Sequence, residues 1–489
     1  MIPQQGANMR FFWRILGLLP LLAGLMASQG GVAQTLDGKT IYLPLIAGGA
    51  ETPQPATGVR VNLPFFNEVI DTQAEFSRMA IFWFGQVQVE ANYTDVRIGY
   101  SPTELVVMTN TFDKRLWYNP AESGGTLTDW DALTLVLERN GVTTAQQPTT
   151  ESYRFVVQLR HWQPSASYQA AYRGTGSGWN AQPIAFNALV TPAAGQDGAP
   201  NDSGDDRGWS ATLRIPFASL GAAAPPADGT LWKLALFVHD RDSQAGPPLP
   251  VTAWPQGSSS DSPASWGQIR FGLPAYTSAP STAPVTTIIR EGLDGVNVPD
   301  SMVGGGTNCG AGLNDWTQWG EKNYGSAADN NVQNQMNLGD WPCFTKYYLS
   351  FPLNTIPTGK VIRSARLVLN HFGGSGEGET NPAPNSSMIQ VLAVSGHWDE
   401  NAINWNNAPA FRENVSVLRV PVLPPNSAPV DREWDVSMGV AQAYQAGQAF
   451  EIALYSADGA MHSGKYFRGS EFQDAANRPT LIVEWGSPP

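Results

Sequence analysis

The sequence has few of the residues that enzymes and metalloproteins most often use for chemistry. Its 489 residues include only 5 histidines and 2 cysteines, and only 15% of them are charged. It contains no Gly-x-Ser-x-Gly motif, no His-Glu-x-x-His motif and no phosphate-binding glycine loop with its lysine. We therefore expect a binding protein and not an enzyme. The two carboxylates of a glycosidase have no local sequence pattern, so a glycan lyase or hydrolase stays an alternative.

Positive charge is also scarce. The 42 acidic and 29 basic residues give a net charge of −13. This excess of acid disfavours nonspecific binding to nucleic acid or to an anionic membrane, and we expect neither as a partner. By contrast, 49 glycines, 38 prolines and 10% aromatic residues are typical of a turn-rich, exported β protein.

The N-terminus has the pattern of an export signal. Arg10 and Arg14 precede the apolar residues 15–27, and residues 31–33 are small enough for cleavage. This predicts a signal peptide over residues 1–33, with an uncleaved N-terminal anchor as the alternative. We expect the mature chain to be a monomer that is secreted or held at the cell surface, without insertion into a membrane.

Short β-rich runs separated by turn-forming residues fill the rest of the chain. We expect a tether over residues 34–57, a first domain over 58–275, a linker over 276–284 and a second domain over 285–489. The spacing of the runs predicts an all-β fold with two antiparallel, jelly-roll-like β-sandwich domains.

Two local features stand out in the second domain. Residues 436–446 have a helical pattern, and Gly447 is suited to end that helix. Cys309 and Cys343 are predicted to form a disulfide in an oxidising compartment, with two free thiols or a metal-binding pair as alternatives.

Several motifs of the second domain occur in a fixed order. They are residues 347–353, residues 362–369, His397-Trp398-Asp399-Glu400, Trp405-Asn406-Asn407, residues 466–471 and residues 478–485. Together they resemble the DNRLRE domain, a secreted β-sandwich related to the alginate-binding carbohydrate-binding module family 96. The resemblance covers about residues 285–486.

This resemblance implies a carbohydrate-binding face near the last strands. Tyr466 and Arg468 are the candidate binding residues, and Arg468 is suited to hold a uronate carboxylate by two hydrogen bonds. The Trp398 and Trp405 segments are expected to build a loop between strands, with ligand binding as the alternative.

The first domain carries a second resemblance. The segments 209–217, 231–242 and 265–272 are similar in order to carbohydrate-binding module family 9 and its DOMON-like relatives. In that family two tryptophans hold a sugar between them. Trp130 and Trp254 are the matching positions, although residues 132–134 replace the acidic pair that the family has there.

One further aromatic residue, a Ca²⁺ ion and a haem group complete the candidates. Trp117 could extend the stacking surface, and each of these tryptophans could instead serve ordinary packing. Acid and amide oxygens at residues 294–300 and 329–331 indicate a Ca²⁺ site, with solvated loops as the alternative. DOMON relatives can bind haem, but His161 and His239 lack a suitably placed methionine.

The sequence thus predicts a secreted, non-catalytic protein that binds polysaccharide. The resemblance to family 96 favours a uronate polymer, whereas the net negative charge favours a neutral glycan. A structural or adhesion protein of the cell surface is one alternative. An accessory part of a polysaccharide-degrading enzyme is the other.

Overall fold

The computed structural model describes residues 33–36, 39–42, 58–121, 125–160, 165–193, 198–335 and 337–489. The chain divides into two units, Met1–Ala47 and Gly48–Pro489. In the first unit, β1 (Ala33–Leu36) and β2 (Lys39–Tyr42) form an antiparallel hairpin. The predicted signal peptide lies outside the described residues except for Ala33, and so does most of the predicted tether. No helix of the described part has the length and apolarity needed to cross a membrane.

The second unit is built mainly of strands. Its N-terminal part contains β3 (Arg60–Leu63), β4 (Ala80–Gln88), β5 (Ala91–Tyr100), β6 (Glu104–Phe112), β7 (Ala132–Glu138), β8 (Ser152–Gln158), β9 (Gln169–Gly174), β10 (Trp179–Ala181), β11 (Asn187–Ala193), β12 (Gly208–Pro216), β13 (Leu231–His239), β14 (Thr252–Trp254) and β15 (Gly267–Phe271). Its C-terminal part contains β16 (Val285–Arg290), β17 (Asp300–Gly304), β18 (Asp329–Val332), β19 (Thr345–Phe351), β20 (Val361–Gly374), β21 (Ser387–Ser395), β22 (Ala410–Val420), β23 (Val430–Asp435), β24 (Phe450–Ser456), β25 (Lys465–Arg468) and β26 (Thr480–Gly486).

Helices are short. The α-helices are α1 (Gln73–Phe76), α2 (Ser165–Tyr168) and α3 (Ser437–Gln445). The 3-10 helices are Leu127–Asp129, Phe217–Leu220, Pro263–Ser265, Leu293–Gly295, Gly306–Asn308, Trp319–Glu321, Leu338–Asp340 and Ala475–Asn477. Helix α3 lies where the sequence predicts it, and Gly447 follows with a φ of 65°. The disulfide between Cys309 and Cys343 is confirmed, with a Cα–Cα distance of 4.2 Å.

The strands of the second unit form three sheets. One has the order β11-β12-β6-β5-β4, and another has the order β16-β26-β20-β25-β18 with β23 beside β20. The longest has the order β10-β9-β8-β7-β13-β15-β3-β22-β21-β24-β19-β17, with β14 beside β13. The pairing is antiparallel apart from β3, which is parallel to both of its neighbours. The predicted all-β, antiparallel sandwich class is confirmed.

Strand β3 joins the two parts of the longest sheet. The side chain of Asn414 on β22 accepts a hydrogen bond from the backbone N–H of Asn62 (2.7 Å) and donates one to its carbonyl (2.8 Å). Beside them Arg60 forms an ion pair with the buried Glu413 at 2.9 Å. No strand lies between β15 and β16, where the linker is expected, and the domain boundary there stays a prediction.

Strand β19 shows how the parts share a core. All seven of its residues are buried. Tyr347 faces the core that is shared with the six-stranded sheet, whereas Tyr348 faces the core that is shared with the five-stranded sheet. Because successive side chains of a strand point to opposite faces, a fully buried run means that both faces of the sheet are covered.

A buried polar group lies where the N-terminal and C-terminal parts meet. This junction cluster consists of Tyr93, Asp95, Arg97, Lys346 and Tyr455. Asp95 accepts hydrogen bonds from the hydroxyls of Tyr93 and Tyr455, both at 2.8 Å, and from the Asn334 amide at 3.1 Å. Arg97 donates through Nε to the carbonyl of Ala457 at 2.9 Å.

Lys346 completes the junction cluster from strand β19. Its Nζ lies 3.8 Å from the ring centroid of Trp405, 4.2 Å from that of Trp83 and 4.6 Å from that of Tyr93. Burial lowers the pKa of Lys346 well below its usual value, and the negative charge of Asp95 opposes this. The amine thus lies in an aromatic cage built from both parts of the chain.

Candidate functional site

The outer face of strands β7, β8 and β13 carries the best candidate for a binding site. In β13, Leu234 and Leu236 point into the large core, so Phe237 and His239 alternate with them toward the outside. The same alternation places Thr134 of β7 and Arg154 of β8 on this outer face. The sheet therefore presents apolar and polar side chains together on one surface.

Loops and strand ends enclose this face into a cleft of about 420 Å³. We name it the sheet-face cleft, and it is lined by Thr126, Leu127, Thr128, Thr134, Arg154, Val156, Tyr172, Phe237, His239, Val251, Ala253, Ser258 and Ser260. Its apolar floor and hydroxyl-rich rim are typical of small-ligand sites of this size.

Arg154 is the basic residue of the cleft lining, and aromatic rings hold it in place. Its guanidinium lies 4.3 Å from the ring centroid of Trp179 and 5.6 Å from that of Tyr172. Asp261 accepts hydrogen bonds from Arg154 at 2.7 Å and from the Trp179 indole at 2.8 Å. The Nε of Arg154 is buried without a hydrogen-bond partner.

His239 is the second titratable group of the cleft. Its Nε2 lies 3.0 Å from the hydroxyl of Thr134. Burial and, to a smaller extent, the positive charge of Arg154 together lower the pKa of His239 to about 4. The imidazole is therefore neutral at neutral pH. The charges lining the cleft are then restricted to Arg154, which Asp261 balances.

The predicted tryptophans of the first domain differ in their exposure. Trp254 is only 3% exposed and packs against Phe82 with 4.2 Å between ring centroids. It has no free face for a sugar, so it does not fit the two-tryptophan arrangement. Trp130 is half-buried, follows the cleft residues 126–128 and has the guanidinium of Arg241 over its ring at 4.6 Å.

Trp117 serves the local structure through its backbone. Its N–H donates to Oδ2 of Asp131 at 2.6 Å, and its carbonyl accepts from the N–H of the same residue at 3.0 Å. Its half-buried indole leaves part of one surface free. The structure does not bring Trp117, Trp130 and Trp254 together around one cavity.

The predicted residues of the second domain lie beside each other on β25. Tyr466 is half-buried, with its ring 6.2 Å from that of Phe372. Arg468 forms an ion pair with Asp329 at 2.5 Å, and its guanidinium packs over the rings of Phe372 (3.7 Å) and Phe472 (4.2 Å). One nitrogen of the Arg468 guanidinium, Nη1, is therefore already engaged by a carboxylate of the chain.

A larger groove of about 580 Å³ lies beside β20, with Phe372, Glu377, Glu379 and Lys465 in its lining. The ammonium of Lys465 donates to the carbonyls of Asn385 and Ser463, both at 2.6 Å. Burial lowers the pKa of Lys465 to about 8. Since this ammonium is already used and two glutamates line the groove, the groove is less suited than the sheet-face cleft to an acidic glycan.

Two groups of carboxylates could hold a metal ion. The aspartate cluster contains Asp113, Asp131, Asp240 and Asp242, and ligand oxygens of all but Asp131 lie within 4.8 Å of one another. Oδ2 of Asp113 and Oδ1 of Asp240 are buried without a hydrogen-bond partner. Burial and, to a smaller extent, the negative charge of Asp242 together raise the pKa of Asp240 to about 8. The donor set consists only of hard oxygens, which fits a Ca²⁺ ion.

The acidic triad is the second group and consists of Asp300, Glu400 and Glu471. Its ligand oxygens also lie within 4.8 Å of one another. Burial and the charge of Glu471 raise the pKa of Asp300 well above its usual value. Of the segments that the sequence indicates for Ca²⁺, Asp300 belongs to this triad and Asn330 donates to it at 3.5 Å, whereas Asp329 pairs with Arg468.

The residues of the sheet-face cleft do not stand out in the sequence, and His239 enters there only as a haem candidate. A signal is nevertheless present. In Ser152–Gln158, Arg154 lies between the aromatic residues Tyr153 and Phe155, and this alternation places the arginine on the opposite face of the strand from the two rings.

Comparison with known proteins found a matching family model and similar solved structures. Residues 316–484 match the model of carbohydrate-binding module family 96. The match confirms the resemblance expected for the C-terminal part, and it supports carbohydrate binding there. No curated protein matches the chain.

The solved structures similar to the chain include family 9 carbohydrate-binding modules. One from Caldicellulosiruptor kristjanssonii in complex with cellotriose is 14% identical, and one from the same organism in complex with glucose is 15% identical. The alignments cover 46% and 45% of this chain and 100% of each solved chain, with a TM-score of 0.32 in both cases. Family 9 is also the family that residues 58–272 resemble.

Proposed function

We propose that the chain is an exported protein that binds polysaccharide without cleaving it, and that the sheet-face cleft is a saccharide site. The observation that carries this proposal is the lining of the cleft. An apolar floor with Phe237, the ring of Tyr172 and the planar guanidinium of Arg154 lie on one face. Hydroxyl groups surround them.

This combination suits the chemistry of a sugar. One face of a pyranose ring carries C–H groups that pack on apolar surfaces, while its hydroxyls need hydrogen-bond partners at the edge. The hydroxyls of Ser258 and Ser260 in the cleft lining offer such partners. A neutral His239 leaves the cleft without excess charge, which favours a neutral glycan at this site over a uronate.

The family 96 match supports carbohydrate binding by residues 316–484 as well. The disulfide between Cys309 and Cys343 is consistent with an oxidising compartment, and therefore with export. A monomeric state, the extracellular location and the absence of catalysis are parts of the same proposal.

Calorimetric titration of the full chain with cello-oligosaccharides and with alginate oligosaccharides tests the proposal. We expect Tyr172→Ala to weaken binding of a neutral oligosaccharide by about fivefold, which corresponds to about 1 kcal/mol. Phe65→Ala is the matched control, because Phe65 is an exposed aromatic residue outside the cleft. Phe372→Ala tests the groove beside β20 in the same way.

Three outcomes separate the alternatives. New reducing ends or unsaturated uronate absorbance during incubation would reveal an enzyme. Binding to none of the glycans would favour a structural or adhesion protein. Binding that is lost in Phe372→Ala and unchanged in Tyr172→Ala would move the saccharide site to the C-terminal groove.

A further inference from the structure

The acidic triad gathers three carboxylates from distant parts of the sequence. Asp300 begins β17, Glu400 lies in the loop between β21 and β22, and Glu471 follows β25. Among the described residues, no ion pair links a basic side chain to any of the three. Arg478, the basic residue that acts on Glu471, donates instead to the carbonyls of Phe472 (2.8 Å) and Glu291 (3.3 Å).

The two oxygens of Asp300 are in different situations. Oδ2 accepts hydrogen bonds from the hydroxyl of Tyr347, from the backbone N–H of Ser470 (2.9 Å) and from the side chain of Asn330 (3.5 Å). No amide, hydroxyl or basic group in the described part of the chain donates to Oδ1, which is buried, and Asp300 as a whole is 1% exposed. Within the triad the carboxyl of Asp300 interacts with that of Glu471. Because Oδ2 is occupied, Oδ1 is the oxygen left for the centre of the triad.

We propose that Asp300, Glu400 and Glu471 bind a Ca²⁺ ion. A buried carboxylate oxygen without a donor is costly, and a cation is the partner that the triad itself cannot supply. Ca²⁺ takes oxygen ligands at about 2.3 to 2.6 Å, so oxygens within 4.8 Å of one another can surround a common ion. No histidine or cysteine belongs to the triad, which disfavours zinc.

The ion would fix the loop that carries Glu400. The side chain of Asn323 donates to the carbonyls of Glu400 (2.8 Å) and Ile403 (2.7 Å). Further along the same loop, Asn406 exchanges hydrogen bonds with the backbone of Val87 on β4 at 2.8 and 3.0 Å. The Ca²⁺ site would therefore hold the loop that connects the C-terminal part to the N-terminal part.

Equilibrium dialysis of the full, chelator-treated chain against Ca²⁺ tests the proposal. We expect Glu471→Gln to bind one equivalent less than the unaltered chain. Glu471 is exposed and glutamine has nearly the same shape, so the variant should fold. Glu400→Gln is the second variant, and Glu433→Gln, in an exposed ion pair with Arg366, is the control that should keep the full count.

The aspartate cluster needs its own control, because it is also suited to Ca²⁺. The count is therefore repeated in the Asp242→Asn background, where Glu471→Gln should again remove one equivalent. Equal counts with and without Glu471→Gln and Glu400→Gln would overturn the proposal. The proposal would also be overturned if the triad titrates with pH but binds no Ca²⁺. Asp300 and Glu471 would then share a proton.

Hydrogen exchange provides a readout of the loop. Residues 396–409 should exchange at least several-fold more slowly after Ca²⁺ addition in the unaltered chain, and at an unchanged rate in Glu471→Gln. Equal exchange in both proteins would overturn the role of the ion in holding this loop.

Discussion

The junction cluster and the acidic triad both bury a carboxylate, but only the junction cluster supplies its partners from the chain. Asp95 has two tyrosine hydroxyls and an amide as donors, with Arg97 and Lys346 close by. Asp300 has donors on one oxygen only and two further carboxylates beside it. A charge-balanced cluster is complete when the chain folds, whereas an unbalanced one indicates a ligand.

The causes of the pKa shifts of Asp95 and Asp300 differ in the same way. Burial raises the pKa of Asp95, while Arg97 and Lys346 oppose the rise. For Asp300 burial and Glu471 act in the same direction. Removing a negative charge should therefore destabilise the junction cluster, and it should relieve the triad when no cation is bound.

The largest expected effect is that of Asp95→Ala. It leaves the buried donors of Tyr93, Tyr455 and Asn334 without their acceptor, so we expect a loss of about 3 to 5 kcal/mol in the free energy of unfolding. Urea denaturation measures it. Asp205→Ala, at an exposed ion pair with Arg115, should cost less than about 1 kcal/mol. Equal losses in both variants would contradict a structural role for the junction cluster.

His239 is a buried base that forms no ion pair with any described residue, and it can be compared with the buried carboxylates of the junction cluster and the acidic triad. Its folded-state pKa of about 4 lies below the usual value of 6.5, so the unfolded chain binds the proton first as the pH falls. This destabilises the fold between about pH 6.5 and 4 by up to about 3 kcal/mol.

The measurement for His239 is the free energy of unfolding at pH 7 and at pH 4. The difference between the two should be about 2 to 3 kcal/mol smaller in His239→Gln than in the unaltered chain. His397→Gln, at a side chain that is 84% exposed, should leave the difference unchanged. A pH dependence identical in all three proteins would show that His239 is not held neutral by burial.

The substitution Lys346→Met tests whether Lys346 or Arg97 balances the negative charge of Asp95. Methionine fills a similar volume in the aromatic cage, and Arg97 remains, so we expect a loss below about 1.5 kcal/mol in urea denaturation. Lys346→Ala should cost more, because it leaves a cavity among the rings. A loss in Lys346→Met as large as that in Asp95→Ala would instead assign the balance to the lysine.

The smallest effect on stability is expected for Glu471→Gln. Whether this substitution stabilises or destabilises the chain should depend on whether Ca²⁺ is bound. In chelator it removes repulsion near Asp300 and should stabilise the chain by less than about 1 kcal/mol. In saturating Ca²⁺ the variant should be the less stable protein, because only the unaltered chain gains from binding the ion. Thermal unfolding under both conditions measures this, and a variant that is less stable in chelator would contradict the contrast between triad and junction.

The sequence alone determined the local features of this protein. The short β-rich runs that form β7 and β13, the helix ending before Gly447 and the pairing of the only two cysteines depend on neighbouring residues or on counting, so they could be predicted. The ordered motifs of the C-terminal part identified its resemblance to family 96, which residues 316–484 confirm.

Only the tertiary structure decided which side chains are free. Trp254 lies against Phe82, Arg468 is held by Asp329, and Arg60 pairs with Glu413, 353 positions away. Burial and partners at such separations depend on how sheets stack, which the local pattern does not contain. For the same reason the sheet-face cleft and the acidic triad became visible only in three dimensions, since each brings together residues from strands or loops far apart in the sequence.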